Sequence, residues 1–297
     1  MKNKIKKSFP LYLILLPALI YVFIFNYIPM YGVQIAFRDF SVKRGIWGSE
    51  WVGLEYFIKF VNHPDFIKLM KNTLVVGLYV LATFPCSIIF ALLLNEVKNL
   101  KYKKTVQMIS YVPHFISTVV VTSMLLLFFD LDTGVINSVI EKLGGNAQDF
   151  MSVPEYFPHL YAWSGVWQSL GFSSIIYLSA LSGVPRELIE AAEIDGASRL
   201  QIIRHVNLPC ILPTIVIMLI LSCGNLLNVG FEKVFLMQNS LNLSTSRIIS
   251  TYTYEIGLLG GEFSYSTAIG LFNNIINIAI MCVVNRFAKK MSGTGIW

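Results

Sequence analysis

Four histidines (His63, His114, His159 and His205) and four cysteines (Cys86, Cys210, Cys223 and Cys282) are the residues best suited to metal or nucleophilic chemistry, and they are scattered along the chain. None stands in a His-Glu-x-x-His or Cys-x-x-Cys spacing, so neither a metal site nor a disulfide framework is expected. The cysteines read as small apolar packing residues, and His114, after Pro113, as a packing residue rather than a ligand. Paired carboxylates occur only in loops, and there is no G-x-x-x-x-G-K-[ST] loop to cradle phosphate. What the sequence offers instead is neutral hydrogen-bonding groups inside apolar runs. Asn225, Asn228 and Glu232 are spaced i, i+3, i+7; Asn273, Asn274 and Asn277 cluster; Trp163 and Trp167 are i, i+4 neighbours with Gln168 beside them. Asparagine is costly against lipid, so these groups face protein or water. They either line a solute path or bond one helix to another. For the Trp pair the competing reading is an interfacial anchor, which suits Trp163 better than Trp167. Glu232 and Lys233 read as a surface pair at an outer rim, and no cation is evident in the path.

The elements that position these residues follow from composition. The chain is 55% hydrophobic and only 13% charged, about half the charged share usual in soluble domains. Six runs lack Asp, Glu, Lys and Arg: 8–37, 72–95, 105–129, 156–185, 206–231 and 263–285. Each exceeds the roughly 20 apolar residues that a spanning helix needs, and lipid forces such runs into helices. The sequence therefore predicts an all-α membrane protein with six transmembrane helices, at about 11–36, 73–95, 106–129, 160–181, 211–229 and 266–284. They form one membrane domain over 1–297, with no separate soluble domain. The basic start at 2–7 mimics a secretory signal, but the apolar run is too long and no A-x-A site follows, so it reads as a retained first span. Pro17 and Pro29 are expected to bend that span.

An even number of spans puts both termini on one side. Segments 1–7, 96–104, 186–205 and 286–297 then carry 14 Lys/Arg in 48 residues, against 9 in 91 for 38–71, 130–155 and 232–262. The positive-inside rule makes the first set, and both termini, cytoplasmic. The net charge of +6 is thus a topology signal and not a sign of nucleic-acid binding. Residues 54–61 read as a short amphipathic stretch along the outer membrane interface.

Between the fourth and fifth runs lies Glu190-Ala-Ala-Glu-Ile-Asp-Gly-Ala197, with Leu208-Pro209 following. Pro185 suits a first helical position, and Glu187 suits the first turn. Gly196 can take the left-handed conformation that ends a helix, and Ser198-Arg-Leu-Gln201 has the form of a capping box. The segment reads as two short helices and a turn, either a mere connector or a docking surface.

Here the pattern resembles a family. Glu190, Ala191, Ala192, Gly196, Leu208 and Pro209 match the cytoplasmic EAA loop of ABC importer permeases, and Ile194-Asp195-Gly196-Ala197-Ser198 is similar to its sugar-importer form. Leu200 and Ile203 stand where aromatics are common in that family. Pro29-Met-Tyr-Gly-Val-Gln-Ile-Ala-Phe37, Trp51-Val-Gly-Leu54, Tyr111-Val-Pro-His-Phe-Ile-Ser117, Val229-Gly-Phe-Glu-Lys-Val234 and Gln238-Asn-Ser-Leu-Asn242 resemble the LplB-like oligosaccharide and polysaccharide branch. The resemblance covers nearly the whole chain.

The resemblance implies a type I ABC importer permease fold in the bacterial cell membrane, with 184–209 as its coupling-helix loop. It implies ATPase-coupling roles for Glu190, Ala191, Ala192, Asp195, Gly196, Leu208 and Pro209. It implies a heterodimer with a second homologous permease, two ABC ATPase subunits that use ATP and Mg, and an extracytoplasmic solute-binding protein. No cofactor is expected on this chain, and it is expected to be a non-catalytic subunit. Its path would carry an oligosaccharide or polysaccharide fragment past Trp167, Gln168, Asn225, Asn228, Asn273, Asn274 and Asn277. The alternatives are a non-sugar cargo, or a self-contained channel or secondary transporter; the latter would usually show a filter or charged groups within spans.

Overall fold

The charge-free runs do become helices, but not six apolar ones of membrane length. The computed structural model describes residues 2–297; the side chains of residues 1–8 and 10, and with them the basic cluster at 2–7, lie outside the described set. Among the described residues, four helices are long and apolar enough to cross a membrane: Leu11–Phe37, Phe66–Asn95, Arg199–Cys223 and Phe263–Ser292. A fifth is reached only if Leu100–Phe115 and Thr118–Phe128, bent by 99°, count as one span.

The six-span expectation is therefore corrected, for two physical reasons. Freedom from charge is not apolarity: the helix Phe157–Ser182 has no Asp, Glu, Lys or Arg, yet it is filled with Ser, Gly, Gln, His, Trp and Tyr. The run at 105–129 is broken instead of continuous. Pro113 lies in a tight turn Val112–Phe115, and Ser117 caps a new helix by accepting from the Val120 N–H at 3.4 Å. With the count no longer six, parity gives no orientation for the termini.

The chain forms two compact units, residues 1–66 with 253–272, and residues 67–252 with 273–297. In the first, the opening helix Lys2–Val22 passes Pro17 unbroken. It then widens over Phe23–Tyr27 and tightens over Tyr31–Phe37, on either side of Pro29. Proline removes a backbone donor, and such local changes of helix pitch are how a chain absorbs the loss. Further on, Arg38 and Asp39 pair antiparallel with Trp51 and Glu50. Helix Glu55–Val61 buries Phe60 edge-on against the rings of Phe66, Tyr265 and Phe272, while Leu54, Ile58 and Val61 stay exposed.

The second unit is organised around Phe157–Ser182, which runs along Phe84–Asn95. Residues buried on it include Tyr161, Ser164, Gly171, Ser174 and Tyr177. One cluster joins Ile88, Leu92, Tyr177, Leu181 and Ile211; another joins Val76, Phe157, Tyr161, Val234 and Ile248. Two close approaches hold these helices. A side chain at Gly171 would fall on the Ser110 carbonyl, and one at Gly77 on the Leu226 carbonyl. Both obstacles are backbone, which cannot turn aside as a flexible side chain can. The expected fifth span is shorter than its charge-free run, because the helix from Leu208 stops at Cys223 and a new one, Phe231–Met237, follows Gly230. The expected outer loop at 232–262 is largely helical.

Gly171→Ala is expected to destabilise the protein by about 1–3 kcal/mol, the usual cost of overpacking. A lower thermal unfolding midpoint of the purified transporter is the measurement.

Candidate functional site

The segment after Ser182 folds as two short helices, Arg186–Ile194 and Arg199–Ile202. Between them Gly196 adopts φ 78°, and the Ala197 N–H reaches back to the Ala192 carbonyl at 2.9 Å. This is a left-handed helix end of the kind glycine permits without strain. The Ser198 N–H and O–H both donate to Gln201 Oε1, at 2.7 and 2.8 Å, tying the start of the second helix. A wide turn Ile203–Asn207 then leads into Leu208–Cys223.

This elbow has two faces of different character. Ile189, Ile203, Val206 and Leu208 pack on the cluster that contains Ile88, Leu92, Tyr177 and Leu181. Asn207 is buried, and its Nδ2 donates to Glu96 Oε1 at 3.3 Å. On the other face Glu190, Ala191, Asp195, Gly196 and Pro209 are exposed, and Ala192 is half-buried. Two apolar side chains stand out there: Ile194 is 86% exposed and Leu200 74%. The sequence pattern included Ile194 in the Ile194–Ser198 match and Leu200 where aromatics are common, but assigned the coupling role to Glu190, the alanines, Asp195 and Gly196 and not to these two.

A cavity of about 920 Å³ opens in the second unit. Gln168, Asn225 and Asn228 line it, together with Ser169, Ser222 and Lys233. Trp167 does not; with Trp163 and His159 it lines a separate cavity of about 420 Å³. Asn273, Asn274 and Asn277 line neither. Asn273 Nδ2 donates to Asn228 Oδ1 at 3.0 Å, and Asn277 Oδ1 accepts from the Leu227 N–H at 3.0 Å; Asn274 is exposed. The first two thus brace the non-helical stretch that carries Asn225 and Asn228. The helix end at Cys223 also means that Asn225, Asn228 and Glu232 do not share one helical face. Gln168 additionally donates to the Ile116 carbonyl at the 99° break, 2.9 Å away. The His114 ring stacks on Phe172 with centroids 3.9 Å apart.

The surface pair expected of Glu232 and Lys233 is absent. Glu232 is exposed, whereas Lys233 is 8% exposed and lines the cavity. Helix Phe231–Met237 turns them to different sides, and a cation does face the cavity. Its Nζ donates to the Tyr161 carbonyl at 3.0 Å and lies 4.9 Å from the Tyr161 ring centroid. Burial pushes the amine down to about 8. The legible signal was a single cation in a short helix whose other residues, Glu232 apart, are apolar. Among the described residues no three His, Cys, Asp or Glu side chains gather as a metal site would require.

Residues 72–293 match the family described as the binding-protein-dependent transport system inner membrane component. The Protein LplB of Bacillus subtilis (strain 168) is 45% identical over 294 residues, 99% of this chain and 92% of LplB. The polygalacturonan/rhamnogalacturonan transport system permease protein YteP of the same organism is 45% identical over 288 residues, 97% of this chain and 90% of YteP. A chain in the crystal structure of a bacterial alginate ABC transporter, solved with an alginate pentasaccharide-bound periplasmic protein, superposes with a TM-score of 0.90. Its identity is 37%, and the match covers 100% of this chain and 99% of that one. A predominantly helical, multi-pass membrane chain with these relatives is a transport permease, a non-catalytic subunit. The chain belongs to the binding-protein-dependent inner membrane component family, in the carbohydrate-uptake branch of ABC importer permeases.

Lys233 supplies a pH test. The folded amine releases its proton near pH 8, while the unfolded chain holds it toward the ordinary 10.5. Between those values the unfolded state binds more protons, so stability rises with pH. The thermal midpoint of the wild-type transporter should therefore climb relative to Lys233→Met as pH goes from 8 to 10.

Proposed function

We propose that this chain and a second, homologous permease enclose the path of an ATP-driven importer, and that an ABC ATPase subunit docks on the 184–209 elbow from the cytosol. The second ATPase serves the partner permease, and an extracytoplasmic binding protein delivers the cargo. Glu190, Ala191, Ala192, Asp195 and Gly196 form the docked surface, and Leu208 and Pro209 carry its movement into the helix behind. The cargo is an oligosaccharide, and Gln168, Asn225 and Asn228 meet its hydroxyls in the large cavity.

The observation that carries this reading is the two-faced elbow. Its tip presents bare Ile194 and Leu200, while its back is keyed to Phe84–Asn95 and Phe157–Ser182. Apolar side chains this exposed on a polar segment suit a protein partner. A push on the tip then reaches the helices that wall the cavity through packed side chains. The cytosolic placement rests on the family resemblance, since parity of spans no longer supplies it. Two relatives support the choice of cargo: YteP is named for polygalacturonan and rhamnogalacturonan, and the structural neighbour carries alginate, an acidic polysaccharide. These are uronic-acid polymers, and a uronate-bearing oligosaccharide is the cargo class favoured here.

Ile194→Asp and Glu190→Lys are each expected to lower ATP-driven oligosaccharide uptake at least about tenfold, as loss of an interface hot spot does. The amount of protein in the membrane should not change. Undiminished uptake in both variants would show that the elbow is only a connector.

A further inference from the structure

An ammonium group held away from water without an anion is a cost that folding alone does not require. Lys233 is in that position. Among the described residues no carboxylate forms an ion pair with Lys233. Of its three donors, one goes to the Tyr161 carbonyl. The Tyr161 ring face adds a cation–π contact, which partly offsets the lost hydration. Opposite the amine stands Gly165, where even a Cβ would sit 3.6 Å from Nζ. Gly165 and Lys233 both line the large cavity.

Lys233 also has suitable company. Ser169, Gln168, Asn225 and Asn228 line the same cavity. They offer neutral hydrogen bonds of the kind that hydroxyl groups accept, and Lys233 adds one positive charge. Neutral groups suffice for a neutral sugar; a buried cation among them has a use only when the solute brings an anion. A carboxylate bound to a desolvated ammonium forms a short, charge-assisted hydrogen bond, stronger than one between neutral groups.

We propose that Lys233 is a specificity-determining residue of the path: its ammonium, facing the 920 Å³ cavity with no protein carboxylate beside it, binds the carboxylate of a uronic acid unit in the passing oligosaccharide. This rests on the reading above that the chain forms half of an oligosaccharide importer. It assigns the acidic unit to one side chain.

The test uses cells that carry the complete transporter and lack other routes for the sugars. The probes are galacturonate and mannuronate trisaccharides and their carboxyl-reduced, neutral counterparts. The variants are Lys233→Met and Lys233→Gln; glutamine keeps a donor for the Tyr161 carbonyl but carries no charge. In both, the ratio of acidic to neutral uptake should fall about tenfold, the value of one hydrogen bond to a charged group. Membrane abundance and basal ATP hydrolysis of the assembled transporter are measured alongside. Wild-type uptake ratios in Lys233→Gln would overturn the assignment. A parallel fall of both sugar classes and of basal hydrolysis would also overturn it, by giving Lys233 a purely structural role. If the wild-type cells take up none of the four sugars, the uronate-bearing cargo proposed above fails, a result distinct from either of these.

Discussion

A helix of 26 residues, Phe157–Ser182, carries no Asp, Glu, Lys or Arg and yet is too rich in hydroxyl, amide and glycine residues to stand bare in hydrocarbon. It has to be wrapped by protein or face water, because an unpaired polar group in lipid is costly. Much of the second unit answers that requirement. The helices Phe84–Asn95 and Leu100–Tyr111 pack along it, the latter through the bare Gly171. Its serines return hydrogen bonds to their own helix: Ser164 to Leu160, Ser169 to Gly165, Ser174 to Gly171. The polar side left over forms a wall of the large cavity. One compositional compromise, uncharged but not apolar, thus yields both a buried scaffold and a wettable surface.

The same helix connects the cavity with the elbow. At its far end Tyr177 and Leu181 belong to the cluster on which Ile189, Ile203 and Leu208 rest. Near its start the Tyr161 carbonyl accepts from the Lys233 amine, and the Tyr161 hydroxyl oxygen accepts from the Gly230 N–H, 3.1 Å away. The elbow thus rests on a long helix and not on a loop, which is the arrangement the proposed coupling requires. Rigid secondary elements linked by packed side chains are the physical means by which distant sites are coupled.

The two-helix elbow was legible because its signals are local. Gly196 needs a left-handed backbone, Ser198 and Gln201 tie a helix start, and Glu187 suits a first turn; each acts within a few residues. The neutral residues of the cavity were partly legible. Asparagine and glutamine in apolar runs must find partners, but sequence spacing does not say whether the partner is a solute or a backbone. Gln168, Asn225 and Asn228 face the cavity, whereas Asn273 and Asn277 are consumed in bracing residues 227 and 228. Lys233 was misread because helical phase decides its direction, and that phase is reset at Gly230, beyond the helix that ends at Cys223. The span count erred because a missing charge was taken as hydrophobicity.

Leu11–Phe37 is an apolar helix of 27 residues in which none of the most hydrophobic stretch is buried within the chain. Residues 11–30 are all exposed, and intrachain packing holds the helix only at its end, where Ala36 is buried and Phe37 stacks on Trp51. Its neighbours are acyl chains or another polypeptide, and the free energy that seats it belongs to the assembled membrane complex. Stripping away that environment leaves a long greasy rod without a companion, and the detergent or lipid chosen for extraction becomes in effect a structural component of the molecule.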